Sequence, residues 1–507
     1  MTTTIRALLA AGNDSAPAIG APDQKTLDFK GLHDLVHRTV EALNGMGIGR
    51  NDRVAIVLPN GPAMAAAFVS IGAGATTAPL NPAYREEEFS FYLSDLQAKA
   101  LVVQAGDETP ARAAAEKMGL AIIELRPGEA GDFTLGGPTS GIGALDRGGF
   151  AEPDDVALIL HTSGTTSRPK IVPLTQANIA ASARHIGETV HLSPDDVCLN
   201  IMPLFHIHGL IAAVLSSLAA GGSVVCTPGF NALRFFSWLD AVRPTWITAV
   251  PTMYQAILAR AARQGDITAG ARLRLLRSSS ASLPPQVMKR LEETFGCPVI
   301  ESYGMTEAAH QMTSNRLPPG KRKPGSVGSA AGPEVAILGE GGAHLGAGGV
   351  GEIVIRGPNV THGYEANPSA NADAFVDGWF RTGDQGTMDE DGYLHITGRL
   401  KELINRGGEK VSPLEVDEIL MDHPAVAQVV TFAMPHDKLG EEVAAAIVLR
   451  DGETATEGDI RDFARQRLAD FKVPRTVVFL KEIPKGATGK LQRIGLAQKL
   501  GLVPADT

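Results

Sequence analysis

The segment LILHTSGTTSRPKIVPLT, residues 158–175, decides more about this chain than any other. Its first residues complete an apolar run, 156–160, typical of a buried strand, and a turn rich in threonine, serine and glycine follows. Small residues let the backbone approach phosphate oxygens, hydroxyls donate hydrogen bonds to them, and a lysine adds a point charge. The segment therefore predicts a phosphate-binding loop after a strand, built from Thr162, Ser163, Gly164, Thr165, Thr166 and Lys170.

Other short motifs suggest alternatives that the local chemistry disfavours. The segment could be a polar surface loop, and it is not a GxxxxGK[ST] loop because Pro169 stands where the second glycine should be. Ser167 and Lys170 match S-x-x-K of serine-nucleophile enzymes, but Pro169 opposes the helix which that motif needs. Residues 346–351 spell GxGxxG, yet a strand pattern follows them, which favours a turn between strands.

Around this segment, apolar runs of strand length alternate with helical patterns. Helical spacing occurs at 32–43 and 62–73, and strand-like runs lie at 54–58, 100–104, 156–160, 223–227 and 246–250. This alternation predicts an α/β fold with mostly parallel sheets covered on both faces, and the glycine-rich segment 126–154 reads as a connection between two subdomains. Short strands and turns after residue 335 predict a β-rich subdomain, and a helix at 460–468 with a strand at 476–480 predicts a final α+β unit.

The bulk properties exclude several classes of protein. The 507 residues suggest two to four domains, and a net charge of −10 argues against a nucleic-acid binder, which needs basic stripes. Cys198, Cys226 and Cys297 lack metal or redox spacing, so we expect buried free thiols. There is no secretory signal and no apolar run of about 20 residues, so we expect a cytoplasmic enzyme without a membrane partner.

Four later segments follow the loop, and their order along the chain is informative. They are ESYGMTEAAH (301–310), GWFRTGD (378–384), GRLKELINRGGEKVSP (398–413) and PKGATGK (484–490). Together they resemble the motifs of the adenylate-forming superfamily of acyl-CoA synthetases, luciferases and adenylation domains, with departures at Ser167 and Ile171, where many members have glycine. The resemblance implies an N-terminal AMP-binding domain, 1–399, made of two doubly wound αβαβα subdomains and a small β-rich subdomain. It also implies a small, mobile α+β C-terminal lid domain, 400–507.

The resemblance further implies that ATP and coenzyme A are co-substrates. Tyr303 offers an aromatic face to adenine, Asp384 can accept both ribose hydroxyls, and the fixed charge of Arg399 suits ribose or phosphate. The other nucleotide-binding residues that the resemblance implies are Ser280, Ala281, Ser282, Glu301, Ser302, Gly304 and Ile396.

Catalysis by this superfamily needs a metal ion and a lysine. Thr306 can bind the α-phosphate and Glu307 is a hard oxygen ligand for Mg²⁺, with Thr165 as a weaker second metal ligand. Attack of a carboxylate on the α-phosphorus spreads charge over both reactants, and a cation that reaches both, here Lys490, lowers that barrier. By resemblance, Lys401 is the hinge of the lid, and Gly407 and Gly408 line the tunnel for the pantetheine arm of CoA.

The segments that would surround the acyl group are unusually polar. By resemblance they are PLFHIHG (203–209), RSSSASL (277–283) and MTEAAHQM (305–312). The candidate acid-binding residues there are His206, Ser279, Ser280 and His310, with His208 packing, and His206 is also a candidate catalytic residue. An apolar acyl chain would leave such groups unpaired, whereas a very small diacid would satisfy them. These segments closely resemble those of oxalate–CoA ligases of plants and fungi.

The sequence therefore predicts an acid–CoA ligase that converts oxalate, ATP and CoA to oxalyl-CoA, AMP and diphosphate. A ligase for malonate or for a fatty or aryl acid is the enzyme alternative, and a ligase that hands the adenylate to a carrier protein is a further one. A nucleotide-binding paralogue without catalysis is the alternative from another class, although both Glu307 and Lys490 are present. The oligomeric state, monomer or homodimer, is left open.

Overall fold

The computed structural model describes residues 3–137, 142–162, 169–484 and 492–503. Its strands, in chain order, are β1 (Pro17–Gly20), β2 (Leu27–Asp28), β3 (Arg53–Val57), β4 (Thr76–Pro79), β5 (Ala100–Gln104), β6 (Ala121–Pro127), β7 (Phe133–Gly136), β8 (Val156–Thr162), β9 (Lys170–Thr175), β10 (Val197–Asn200), β11 (Ser223–Cys226), β12 (Trp246–Ala249), β13 (Leu275–Ser278), β14 (Val299–Met305), β15 (His310–Ser314), β16 (Ser329–Ala330), β17 (Glu334–Leu338), β18 (Val350–Arg356), β19 (Phe375–Val376), β20 (Trp379–Met388), β21 (Leu394–Arg399), β22 (Ile404–Arg406), β23 (Glu409–Val411), β24 (Val426–His436), β25 (Gly440–Leu449) and β26 (Thr476–Phe479).

The helices connect these strands and cover their faces. They are α1 (Ile5–Leu9), α2 (Phe29–Gly45), α3 (Pro62–Gly72), α4 (Glu86–Asp95), α5 (Pro110–Met118), α6 (Gln176–Thr189), α7 (Ser216–Ala219), α8 (Phe235–Val242), α9 (Pro251–Ala261), α10 (Gly265–Ala269), α11 (Pro285–Phe295), α12 (Pro368–Ala374), α13 (Pro413–Met421), α14 (Glu457–Arg465) and α15 (Leu496–Lys499). A π-helical stretch, His208–Leu215, precedes α7. No helix of the described residues has both the length and the apolar character needed to cross a bilayer.

The predicted strand before the phosphate loop is β8, which lies near the edge of a sheet with the order β7-β6-β5-β3-β4-β8-β9. The five central strands, β6, β5, β3, β4 and β8, run parallel to one another. The edge strands β7 and β9 are antiparallel to their neighbours. Thr175, the last residue of β9, then caps α6, because its hydroxyl accepts the Asn178 N–H. One short segment thus contains a strand, a loop, a second strand and a helix start.

A second large sheet has the order β16-β15-β14-β13-β12-β10-β11-β1-β2, parallel from β14 to β1. Side chains on both sheets alternate between two cores, as a sheet covered on both faces requires. On β3, Ile56 faces the core between the sheets and Ala55 faces outwards, and on β10 Cys198 and Leu199 divide in the same way. Helices α2, α3 and α6 fill the central layer, which confirms the predicted αβαβα arrangement.

Two smaller sheets complete the fold. The third has the order β17-β18-β20-β19 with β21 on β20, and the fourth has the order β23-β22-β25-β24 with β26 on β25. The fourth sheet packs against α13 and α14 around its own core of Ile404, Val416 and Ile460. This is the predicted small α+β unit. Its boundary at residues 399 and 400 and its mobility stay predictions.

Local details refine the sequence predictions. Part of the presumed connection 126–154 is an edge strand, β7, because Phe133 is buried and fixes it against β6. Lys170 begins a strand rather than a helix, which removes the geometry that S-x-x-K would need. The GxGxxG segment leads into β18, as expected for a turn between strands. The three cysteines are buried and free.

Candidate active site

The residues at the two ends of the predicted phosphate loop face each other. Thr162 ends β8 and Lys170 begins β9, and the two residues are partners in the register of this antiparallel pair. The remaining predicted loop residues, Ser163, Gly164, Thr165 and Thr166, lie outside the described residues, and so does Lys490. Their roles stay predictions.

Lys170 leads directly to the predicted metal ligand. Its ammonium lies 4.2 Å from the centroid of the Tyr364 ring, a cation–π contact. The Tyr364 hydroxyl donates a 3.0 Å hydrogen bond to Oε1 of Glu307. Tyr364 therefore joins the phosphate loop to the carboxylate, a link that the sequence analysis missed because no motif contains this tyrosine.

Glu307 is buried and held from several sides. Its carbonyl oxygen accepts the Thr361 N–H at 2.7 Å, and the amide of Asn359 donates to the Ala308 carbonyl at 2.7 Å. Burial raises the pKa of Glu307, and the Tyr364 hydrogen bond and the charges of Arg399 and Lys170 oppose that rise. A second cation, such as a metal ion, would stabilise the carboxylate form further.

The predicted adenosine-binding residues form a connected group. Tyr303 on β14 donates its hydroxyl proton to Oδ2 of Asp384 on β20, and Nε of Arg399 on β21 donates to Oδ1 at 2.8 Å. Asp384 is buried, whereas the Arg399 side chain is 49% exposed. The register pairs Asp384 with Arg399 across the strands, so the third sheet itself fixes this ion pair.

The turn after Tyr303 contains two non-glycine residues with positive φ. Ala309 has φ +48° and His310 has φ +102°, conformations that non-glycine residues rarely adopt. The chain folds back so tightly that a Cβ on Gly304 would lie 1.7 Å from the His310 carbonyl oxygen, so only glycine fits there. Thr306 begins the short 3-10 turn, Thr306–Ala308, which carries Glu307. At the end of this turn, His310 pairs with Met305 in the register of β14 and β15.

Glu301 and the residues around it line the base of this group. Oε1 of Glu301 accepts the Leu283 N–H at 2.8 Å, whereas Oε2 is buried without a hydrogen bond in the structure. Burial raises the pKa of Glu301 to about 8. The Ser279 hydroxyl donates to the Ser302 carbonyl at 2.9 Å, so its proton is used between β13 and β14. Ala281 is exposed and Ser282 is partly buried beyond β13.

His208 lies at the centre of a buried polar cluster. Its Nδ1 lies 3.1 Å from the Ser280 hydroxyl and its Nε2 lies 2.6 Å from Oγ1 of Thr248. The rings of His208 and His310 meet edge to face at 4.9 Å. The sequence analysis assigned His208 to packing, and the structure instead places it between Ser280 and His310, at the start of the π-helical stretch.

Arg277, on β13, also belongs to this cluster. The quoted segment RSSSASL begins with it, but the sequence analysis gave it no role. In the sequence, the only sign of a special role for Arg277 is that a charged residue stands in an apolar strand. The guanidinium is fully buried, 3.2 Å from Oγ1 of Thr248 and 3.2 Å from Oε1 of Gln311.

The other predicted residues lie further out. His206 is partly buried and its ring lies 4.5 Å from that of Phe205, while Ile396 on β21 packs against the central core. Lys401 is exposed. Gly407 and Gly408 form the two-residue turn between β22 and β23, with φ +61° and +96°. Such a turn favours glycine at both positions.

Comparison with known proteins identifies the class. The model of the AMP-binding enzyme family matches residues 9–365, and that of the AMP-binding enzyme C-terminal domain matches residues 415–490. The chain belongs to the AMP-binding enzyme family, which confirms the resemblance drawn from its motifs.

Individual relatives narrow the comparison. The chain is 47% identical to an oxalate–CoA ligase of Arabidopsis thaliana over 94% of its own length and 96% of that protein. It is 43% identical to an oxalate–CoA ligase of Saccharomyces cerevisiae, over 89% and 87% of the two chains. ATP-bound MatB from Rhodopseudomonas palustris superposes with a TM-score of 0.87 at 30% identity, over 98% of this chain and 99% of that one.

Proposed function

We propose that this protein is an AMP-forming acid–CoA ligase whose acid is oxalate. One observation carries the choice of acid: Ser280 and His310, which the resemblance assigns to the acyl site, share a polar cluster with His208 and Thr248. A fatty or aryl chain placed against these groups would leave their hydrogen-bonding atoms unpaired, which costs free energy. The similarity to two oxalate–CoA ligases supports the same choice.

In the first half-reaction, one carboxylate oxygen of oxalate attacks the α-phosphorus of ATP, and the bond to diphosphate breaks. Tyr303 and Asp384 hold the adenosine, and Arg399 is pinned by Asp384 so that its remaining donors can reach the ribose or phosphate. Lys170 and the hydroxyl-rich loop hold the phosphates, with Thr306 on the α-phosphate. Lys490 neutralises charge on both reactants as the new bond forms.

The donor set also fits Mg²⁺. Glu307 is a buried carboxylate beside Lys170, and a single protein carboxylate is typical of Mg²⁺ that is otherwise bound by phosphate oxygens and water. Bound there, with Thr165 as a weaker candidate ligand, the ion would neutralise phosphate charge. Tyr364 keeps the Glu307 carboxylate oriented towards that position.

In the second half-reaction, the thiolate of CoA attacks the oxalyl carbonyl carbon, and AMP leaves. We propose that residues 400–507 reorient about Lys401 between the two steps. The turn of Gly407 and Gly408 would then line the channel for the pantetheine arm, because a side chain there would narrow it.

The test is diphosphate release with oxalate, malonate, acetate, octanoate and coumarate, followed by detection of the CoA thioester. We expect kcat/KM for oxalate to exceed that for every monocarboxylate by about 100-fold or more, because a site that binds polar groups rejects analogues lacking them. Preference for an apolar acid would refute the assignment of oxalate, and ATP binding without turnover of any acid would refute the ligase.

A further inference from the structure

Arg277 is a buried charge that has no counter-ion in the part of the chain that the structure describes. Its side chain is 0% exposed, and its neighbours within hydrogen-bond distance are Thr248, Gln311 and His310, none of which carries a negative charge. Among the described residues no aspartate or glutamate forms an ion pair with it, and its Nε–H has no hydrogen-bond partner. A buried, unpaired cation is costly, so such a group is normally retained for something it binds or orients.

The charge persists at neutral pH. Burial lowers the pKa of Arg277 to about 10, which leaves the guanidinium protonated at pH 7. Gln311 is itself held in place, because its amide nitrogen donates to Thr189 and to the Ala331 carbonyl, and this turns Oε1 towards Arg277. The surrounding structure is therefore built to accept hydrogen bonds from a cation.

A guanidinium only donates, so Thr248 accepts a hydrogen bond from Nη1 of Arg277. In the arrangement that we infer, Thr248 donates its hydroxyl proton to Nε2 of His208, 2.6 Å away. His208 then carries its proton on Nδ1 and donates to Ser280, so the Ser280 hydroxyl proton is directed onward. Similarly, Nη2 faces Nδ1 of His310 at 3.5 Å, which leaves the ring proton on Nε2.

We propose that Arg277 is the positioning residue that makes the acyl site selective for an acid with a second negative charge. Its buried charge attracts the distal carboxylate, and it orients Ser280 and His310 as hydrogen-bond donors towards that group. The inference rests on the proposed function, since it assumes that the cluster receives the acid. In this proposal Arg277 does not touch the acid, because it acts through Thr248, His208 and His310.

The test compares oxalate with oxamate, which has the same shape but carries an amide in place of one carboxylate. For the native protein we expect kcat/KM for oxalate to exceed that for oxamate by about 100-fold, the usual effect of losing one partner of a buried charge pair. Arg277→Met should lower oxalate turnover about 100-fold, mainly through KM, and leave oxamate within about 3-fold. Arg277→Lys keeps the charge and should recover about 10-fold of that loss.

Arg274→Met is the matched control. Arg274 lies three residues before Arg277, but it forms an ion pair with Asp196 away from the cluster, so its loss should leave the oxalate-to-oxamate ratio unchanged. Thermal unfolding with and without ATP identifies variants that fold and bind nucleotide. If folded Arg277→Met loses kcat/KM for oxalate and for oxamate by the same factor, so that their ratio is unchanged, Arg277 is only structural and the inference is wrong.

Failure of the proposed function gives a different result. If the native protein ignores oxalate but activates malonate, oxalate is the wrong acid, and malonate against its monoamide repeats the comparison for Arg277. If the native protein activates only monocarboxylates, both the oxalate assignment and the role of Arg277 are refuted.

Discussion

The nucleotide side and the acid side of this site handle charge differently. On the nucleotide side, Asp384 is bound by both Tyr303 and Arg399, and Glu307 lies near Lys170, so opposite charges balance one another before any ligand arrives. On the acid side, the Arg277 cation has neutral hydrogen-bond partners. We propose that ion pairs hold the nucleotide-binding residues in place before ATP binds, whereas the unbalanced charge of Arg277 selects the acid.

The largest effect should come from Lys490, which we propose acts on both ATP and the acid. Lys490→Ala should slow formation of the adenylate about 1000-fold, because it removes the cation that neutralises both reactants. Thioester formation from supplied oxalyl-AMP should continue. Diphosphate release and thioester formation are measured separately, and Lys481→Ala, which changes an exposed lysine, is the control. Equal loss of both half-reactions would contradict this division.

Breaking the balance on the nucleotide side should leave the choice of acid unchanged. Asp384→Asn removes the charge that holds Tyr303 and Arg399, and we expect KM for ATP to rise about 100-fold, as for other losses of a buried, hydrogen-bonded charge. The ratio of oxalate to malonate turnover should stay within about 3-fold. Asp389→Asn, which changes a carboxylate bound to Lys323 away from the site, is the control. A large shift in acid preference would show that the two sides are coupled.

Glu301 offers a test of pH dependence, since burial raises its pKa to about 8 against an ordinary value of 4.5. Between these values the folded protein holds a proton that the unfolded chain releases, so stability is greatest at low pH and falls as pH rises towards 8. From pH 5 to 8 the free energy of unfolding should drop by about 3 to 4 kcal/mol more in the native protein than in Glu301→Gln. Urea unfolding at several pH values measures this. Parallel pH profiles would mean that Glu301 is ionised throughout.

The smallest effect should come from the tyrosine that joins Lys170 to Glu307. Tyr364→Phe keeps the ring under the ammonium but removes the hydrogen bond to the carboxylate, so activity should fall about 10-fold, as for a hydrogen bond to a charged group. The concentration of Mg²⁺ needed for half-maximal rate should rise. Tyr393→Phe, whose hydroxyl instead binds the Lys321 carbonyl, is the control. An unchanged Mg²⁺ requirement would remove Tyr364 from the metal site.

Patterns of neighbouring residues predicted much of the fold. Strand-length runs such as 100–104 and 246–250 coincide with β5 and β12, because an apolar run bounded by turns has few other stable arrangements. The edge strand β7 was missed because its pattern is short and glycine flanks it. Within the site, the motifs identified Tyr303, Glu307, Asp384 and Arg399, all of which the structure brings into two adjoining groups.

The sequence by itself determined the class of this protein, because five ordered motifs each carry their own chemistry within a few residues. The tertiary structure alone decided which side chains meet. Tyr364 reaches Glu307 across 57 residues, and His208 reaches Ser280 across 72. The burial of Arg277 was equally hidden, since solvent exposure and the absence of a counter-ion depend on which strands pack around a residue, not on its neighbours in the chain.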